Sequence, residues 1–176
     1  MLALLAGMGG LTAPLSAQGR GSHAFQGYGS DQGLSSLATT ALAQDRDGFL
    51  WVGTEEGLFR FDGHRFRAFG EKEGLQAPVT TLLPGPGGTL WVGTQRGLFR
   101  WEGRALEPYG AQHGLPEAPV EALFEDSAGR LWVGQAAGCY RMEAGGALEA
   151  VPGWPGGVTA FAPARDGAGF WAAGPR

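Results

Sequence analysis

The sequence predicts an all-β protein, a β-propeller of four-stranded antiparallel blades, and three observations carry that prediction. The string Leu-Trp-Val-Gly recurs at 50–53, 90–93 and 131–134 and fades to Phe170-Trp171, so the tryptophans fall at 51, 91, 132 and 171, a step of 39 to 41 residues. A second block follows the first three: Gly57-Leu58-Phe59-Arg60, Gly97-Leu98-Phe99-Arg100 and Gly138-Cys139-Tyr140-Arg141. A third marker, Gly-Leu at Gly33-Leu34, Gly74-Leu75 and Gly114-Leu115, keeps the same step. Units of about 40 residues made of short strands build propellers or solenoids, in which one unit cannot bury its own apolar surface and its neighbours must.

Residues 1–20 read as a signal peptide or disordered leader. Met1 to Leu11 is apolar, and Leu15-Ser16-Ala17 before Gln18 resembles a signal-peptidase site. The run is too short to span a membrane, which takes about 20 apolar residues. Residues 21–36 form an orphan outer strand and a link, because Phe25, Tyr28 and Gly29 stand 41 residues before Phe66, Phe69 and Gly70. Such a strand completes the last blade of a closed ring and removes exposed edges. Blade 1 takes residues 37–70, blade 2 takes 71–110, blade 3 takes 111–152, and a partial blade 4 takes 153–176. That makes about three and a half blades, an incomplete ring and the expectation of a fragment.

Within a blade the first strand is an apolar stretch such as Val79 to Leu83 or Val120 to Phe124, matched less strongly by Thr39 to Ala43. An acidic turn follows, Asp45-Arg46-Asp47-Gly48 or Asp126-Ser127-Ala128-Gly129, replaced in the second repeat by Gly85-Pro86-Gly87-Gly88. The tryptophan strand and the Gly-Leu-Phe-Arg strand come next, and a tight turn at Asp62-Gly63 or Glu102-Gly103 leads into the fourth. Glycine tolerates the positive φ that such hairpin turns require. Leu50, Trp51 and Val52 are apolar in succession, as in strands buried on both faces. Trp51, Trp91, Trp132 and Trp171 are therefore assigned to packing between blades. Gly53, Gly93 and Gly134 share the pleat face of the preceding tryptophan and leave room beside the indole. Arg60, Arg100 and Arg141 are read as apolar stems between blades, their charged ends pairing with turn carboxylates such as Asp45 or Asp126.

Composition bounds the chemistry. Gly 33 and Pro 11 of 176 residues approach the content of unpatterned, disordered chains, but these glycines fall in register at turns. A net charge of −4 with no basic cluster excludes a nucleic-acid partner, which calls for a basic face. Cys139, the one cysteine, occupies the slot of Leu58 and Leu98 and reads as a buried small hydrophobe. His23, His64 and His113 lack metal-ligand spacing, Asp45-Arg46-Asp47-Gly48 lacks the further ligands of a calcium loop, and no nucleophile elbow occurs. No metal, no cofactor and no catalytic residue are expected, and the chain is not read as an enzyme.

Written out as Asp-x-x-Gly-x-Leu-Trp-Val-Gly-Thr-x-x-Gly-Leu-Phe-Arg-x-x-Gly, the unit resembles the two-component regulator propeller repeat, over about residues 23–176. The first two repeats match well, the third carries Gln135 for threonine and Cys139 for leucine, and the fourth is weak. The resemblance implies the periplasmic sensing region of a hybrid histidine kinase or diguanylate cyclase, membrane-tethered and homodimeric in its full-length context, with this chain part of a seven-bladed ring. It implies no kinase or cyclase activity for this chain. The ligand would be an extracellular small molecule or oligosaccharide, received on the loops that follow the tryptophan strands and on the links between blades. Glu55, Glu56, Gln95, Arg96, Gln135 and His113 are the candidates there. A scaffold for protein partners is the alternative, and a lyase like the streptogramin lyases is a third, which would need histidines and acids gathered at the channel mouth.

Overall fold

A computed structural model of the chain describes residues 2–5, 25–70, 72, 75, 77–165, 167 and 169–175. Three antiparallel four-stranded sheets run in chain order. The first blade is β3 (Thr39–Gln44), β4 (Leu50–Thr54), β5 (Gly57–Phe61) and β6 (Phe66–Phe69). The second is β7 (Val79–Pro84), β8 (Leu90–Thr94), β9 (Gly97–Trp101) and β10 (Leu106–Pro108). The third is β11 (Val120–Glu125), β12 (Leu131–Gln135), β13 (Gly138–Met142) and β14 (Leu148–Ala150). A two-stranded sheet, β15 (Ala160–Pro163) with β16 (Phe170–Ala173), follows, and another, β1 (Leu2–Leu5) with β2 (Phe25–Tyr28), precedes them. Gly48, Gly63, Gly103 and Gly129 take φ between 75° and 101° at the hairpin turns, where a Cβ would be strained.

The first strands pack side by side, β3 against β7, β7 against β11 and β11 against β15, which makes them the inner strands of an arc of blades. Each of the first three is bulged, the register shifting between Thr39 and Ala41, Val79 and Thr81, and Val120 and Ala122. A bulge leaves one residue outside the ladder. Here that residue is Thr40 or Thr80, and its hydroxyl donates to the backbone carbonyl of Val79 (2.6 Å) or of Val120 in the next blade. Nothing in the residue order signals this stitch.

The junctions repeat one pattern. Trp51, Leu58 and Phe69 of blade 1 pack against Val92, Trp101 and Leu106 of blade 2; Trp91, Leu98 and Tyr109 of blade 2 pack against Val133, Tyr140 and Leu148 of blade 3. Trp132 and Cys139 then meet Val158, Phe161 and Phe170. The repeat glycines serve these junctions in a way that corrects the sequence reading. A Cβ on Gly53 would lie 2.5 Å from Val79 Cγ1, and one on Gly93 would lie 2.8 Å from Val120 Cγ1. They admit the first valine of the following blade, and the indole is not what needs the space.

One further correction and one further pairing concern the ends of the arc. Trp171 is 73% exposed, because no described blade covers the far face of β16. Leu2–Leu5, read as part of a leader, forms a strand paired with Phe25–Tyr28. An unpaired edge carries N–H and C=O groups that need partners, and an apolar run of β-compatible length supplies them. Residues 6–24, with the signal-peptidase-like site and His23, lie outside the described residues. Tyr28 packs on Phe61 and Phe66 of blade 1, with ring centroids 5.0 and 6.1 Å away.

Candidate functional site

One end of every blade collects the turn between second and third strands and the link to the next first strand. Backbone hydrogen bonds pin the links. Gly29 O accepts from Leu34 N, Gly70 O from Leu75 N and Gly110 O from Leu115 N, at 3.0 to 3.2 Å, and Leu34, Leu75 and Leu115 are buried. Gly33 and Gly114 take φ of 93° and 88°, and a Cβ on either would come within 2.7 Å of the carbonyl of Phe66 or Leu148. At Gly33-Leu34 and Gly114-Leu115 the marker is therefore the lock that swings the chain from a blade's outer edge back to the inner ring.

The turns are fixed on the same end. Thr54 Oγ1 donates to Gly57 O (2.9 Å) and accepts from Glu56 N (3.1 Å), and Thr94 repeats this with Gly97 O (2.8 Å) and Arg96 N (3.1 Å). Glu55 N and Gln95 N donate to Ala38 O and Pro78 O of the links, at 3.2 and 3.0 Å. Backbone and threonine do the holding, so the side chains of Glu55, Glu56, Gln95 and Arg96 stand exposed. In the third blade Gln135 fills the threonine slot and is fully buried, its Nε2 donating to Pro116 O and Ala118 O at 3.1 Å each. Its longer side chain reaches the link carbonyls, so Gln135 is a tie within the frame rather than a rim residue. The exposed residues of that turn are Ala136 and Ala137.

Arg96 lies over a cleft of about 140 Å³ between the β8–β9 turn and the link to blade 3, with Phe99, Pro108, Gln112, Pro116 and Glu117 in its walls. The cleft offers a guanidinium, a carboxylate and a carboxamide above apolar walls. Gln112 escaped sequence reasoning, although its place between Gly110 and Gly114 in a link is a legible signal. His113 is half-buried, its ring stacked on Tyr109 at 3.7 Å and 9°. The Tyr109 hydroxyl donates to Gly146 O at 2.8 Å, and Arg100 sits 4.9 Å over the Tyr109 ring, so His113 extends a cation–aromatic stack. Glu55 and Glu56 lie on the blade 1 turn, outside this cleft. His64 is exposed on the β5–β6 turn at the opposite end of its blade.

That opposite end is held by carboxylates. Asp45 Oδ1 accepts from Asp47 N (3.1 Å) and Phe49 N (2.9 Å), while its Oδ2 accepts from the Trp51 indole at 2.7 Å. Asp126 does the same for Ala128 N, Arg130 N and the Trp132 indole, and takes Arg130 Nε at 2.8 Å as well. Burial raises the Asp126 pKa, but the bonds from the Trp132 indole, Arg130 and Ala128 outweigh it and hold the carboxyl at about 2. Asp62 is lowered too, by backbone bonds from Arg65 and His64. The turn carboxylates are thus engaged by indoles, and the third-strand arginines pair elsewhere: Arg100 with Glu102 (3.3 Å) and Arg141 Nε with Glu143 (2.7 Å). Arg60 lies 4.4 Å over the Phe49 ring.

Radial four-stranded sheets stacked through tryptophan junctions, with loops gathered at one end, define the blades of a β-propeller. Residues 33–56 and 114–136 match the model of the two component regulator propeller. A stretch of 59 residues is 39% identical to histidine kinase P4 of Formosa agariphila, covering 34% of this chain and 4% of the relative. An extracellular domain assigned to a hybrid two component system of B. thetaiotaomicron superimposes with a TM-score of 0.67 at 25% identity, over 78% of this chain and 22% of that one. Virginiamycin B lyase from Staphylococcus aureus shares the fold, with a TM-score of 0.53 at 13% identity over 65% of this chain and 42% of that one. The chain thus spans a minor part of the length of each. Among the described residues no helix is long and apolar enough to cross a membrane.

Proposed function

We propose that this chain is the extracytoplasmic, non-catalytic sensing propeller of a bacterial two-component receptor, and that its loop face takes up a small extracellular molecule, an oligosaccharide first among the candidates. One observation carries the reading: backbone and buried side chains hydrogen-bond the turns to the links, while the exposed side chains on the turns differ from blade to blade, Glu55-Glu56, Gln95-Arg96 and Ala136-Ala137. A constant frame with varied tips is the arrangement that reads ligands. The cleft under Arg96 combines donors and acceptors over apolar walls, which suits the hydroxyls and ring faces of a sugar. In a full receptor, homodimeric and tethered to the membrane, ligand binding would bias the equilibrium between two states by its differential affinity for them.

Thermal-shift titration with a panel of oligosaccharides and small metabolites tests this. The expected result is a concentration-dependent rise in Tm that Arg96→Ala and Glu117→Gln abolish. No stabilisation by any compound, or turnover of a compound by the isolated chain, would overturn it. A scaffold for protein partners is the second reading, favoured by the exposed Leu37 and Trp171, at 57% and 73%.

A further inference from the structure

The cleft under Arg96 lies wholly within blades 2 and 3, and its two charged side chains come from its two sides, Arg96 from the β8–β9 turn and Glu117 from the link. Neither forms an ion pair among the described residues, not even with the other. A cation and an anion thus face one space with neither neutralised. The frame fixes both sides through one slot of the repeat, the residue after Trp-Val-Gly. In blade 2 that residue is Thr94, whose Oγ1 accepts from Arg96 N at 3.1 Å and holds the turn. In blade 3 it is Gln135, whose Nε2 donates to Pro116 O and Ala118 O of the link at 3.1 Å each. Those carbonyls belong to the residues on either side of Glu117. Pro116 and Pro119 restrict the same segment, because the proline ring fixes φ. The exchange of threonine for glutamine has a cost. Gln135 is fully buried and its Oε1 meets no donor among the described residues, whereas Thr54 and Thr94 both donate and accept. A buried acceptor left unpaired weighs against stability. What glutamine adds over threonine is the clamp around Glu117.

A ligand of single charge pairs with one side of such a cleft and is repelled by the other. A group that carries a carboxylate and an amine together satisfies both, the carboxylate on the planar guanidinium and the ammonium on Glu117. Size narrows the class further. The cleft is about 140 Å³ with Phe99, Pro108 and Pro116 as apolar wall, close to the roughly 150 Å³ that holds one benzene, so it admits one compact group and not a run of sugar rings. We propose that the cleft selects a zwitterion, a compact ligand or ligand end that presents its carboxylate to Arg96 and its ammonium to Glu117, with Gln135 the positioning residue for Glu117. The proposal rests on the sensing reading of the loop face and narrows its ligand class. Two sources share this chemistry, a free α-amino acid and an amino-sugar acid at the end of an oligosaccharide.

Isothermal titration calorimetry of the 176-residue chain with L-leucine and with muramic acid tests both sources, and the tighter of the two zwitterions identifies the source. Removing the amine (4-methylpentanoic acid, glucuronic acid) or the carboxylate charge (leucinamide, glucosamine) is expected to weaken binding about tenfold or more. Arg96→Ala and Glu117→Gln change exposed side chains and should each produce a loss of the same size with the circular dichroism of the parent. Gln135→Thr, which returns the residue of blades 1 and 2, should weaken the zwitterion as Glu117→Gln does, and the two substitutions together should cost no more than one alone. A merely structural glutamine would give additive losses instead, which would overturn its positioning role. Equal binding of zwitterions and singly charged analogues, or no binding of either zwitterion up to about 10 mM, would overturn the proposal. Stabilisation by a neutral oligosaccharide in that case would leave the sensing reading standing, so the two fail separately.

Discussion

The indoles of Trp51 and Trp132 are each held by a turn aspartate, while the second blade has Gly85 in that place and no described bond to Trp91 Nε1. Gly85 has φ −107° and ψ −173°, open to any residue, and a Cβ there would lie 3.4 Å from Trp91 Nε1. Gly85→Asp should therefore install the missing bond and raise stability by about 1 kcal/mol, a Tm increase of roughly 2–4 °C by calorimetry. Asp126 shows the same interaction through pH. Its carboxyl is held near 2 against an ordinary 3.8, so the stabilisation is complete above about pH 4 and fades as pH falls toward 2. With its surroundings partly open to solvent this amounts to about 1 kcal/mol. Urea titrations of Asp126→Asn should show lower stability at pH 7 and a shallower loss between pH 4 and 2. Cys139 is 1% exposed, and burial lifts its thiol to about 11. A maleimide should label it only as the chain unfolds, which mass spectrometry across a denaturant series checks. At this scale the sequence showed which positions repeat but not what they touch. Gln135 looked like a rim residue because nothing in the string reveals that its amide reaches the carbonyls of Pro116 and Ala118.

The strand order, the hairpin turns and the four-strand unit were legible because short apolar runs recurring every 40 residues and the turn glycines between them are signals carried by the sequence itself. The bulges of β3, β7 and β11 were not, since a bulge is defined by pairing, and neither was the partner of β2. Tertiary contact also decided the role of Gly93, whose nearest obstacles are Thr81 on the neighbouring strand and Val120 in the next blade. Gly93→Ala forces a methyl into that junction and is expected to cost about 1–3 kcal/mol, read as a lowered urea midpoint with an unchanged m-value. The candidate site was legible only as an end of the blade. Which side chains converge there depends on how one link, 110–119, folds beside one turn.

Across the molecule, stability is expected to follow the junctions, as in any architecture whose units touch only their neighbours. Amide exchange should be slowest in β8 and β12, whose residues are buried throughout, and fastest in β15 and β16, whose outer face is open. Equal protection in all strands would show that the blades do not unfold as neighbouring units. The threonine stitches add a direction to this gradient. Thr40 and Thr80 tie blade 1 to blade 2 and blade 2 to blade 3, but the bulge of β11 carries Glu121, from which no described hydrogen bond reaches blade 4. Under tension applied along the chain, for example between optical tweezers, the seam behind blade 3 should tear at the lowest force, and the two hydroxyl-laced seams should give way afterwards as separate, stronger events.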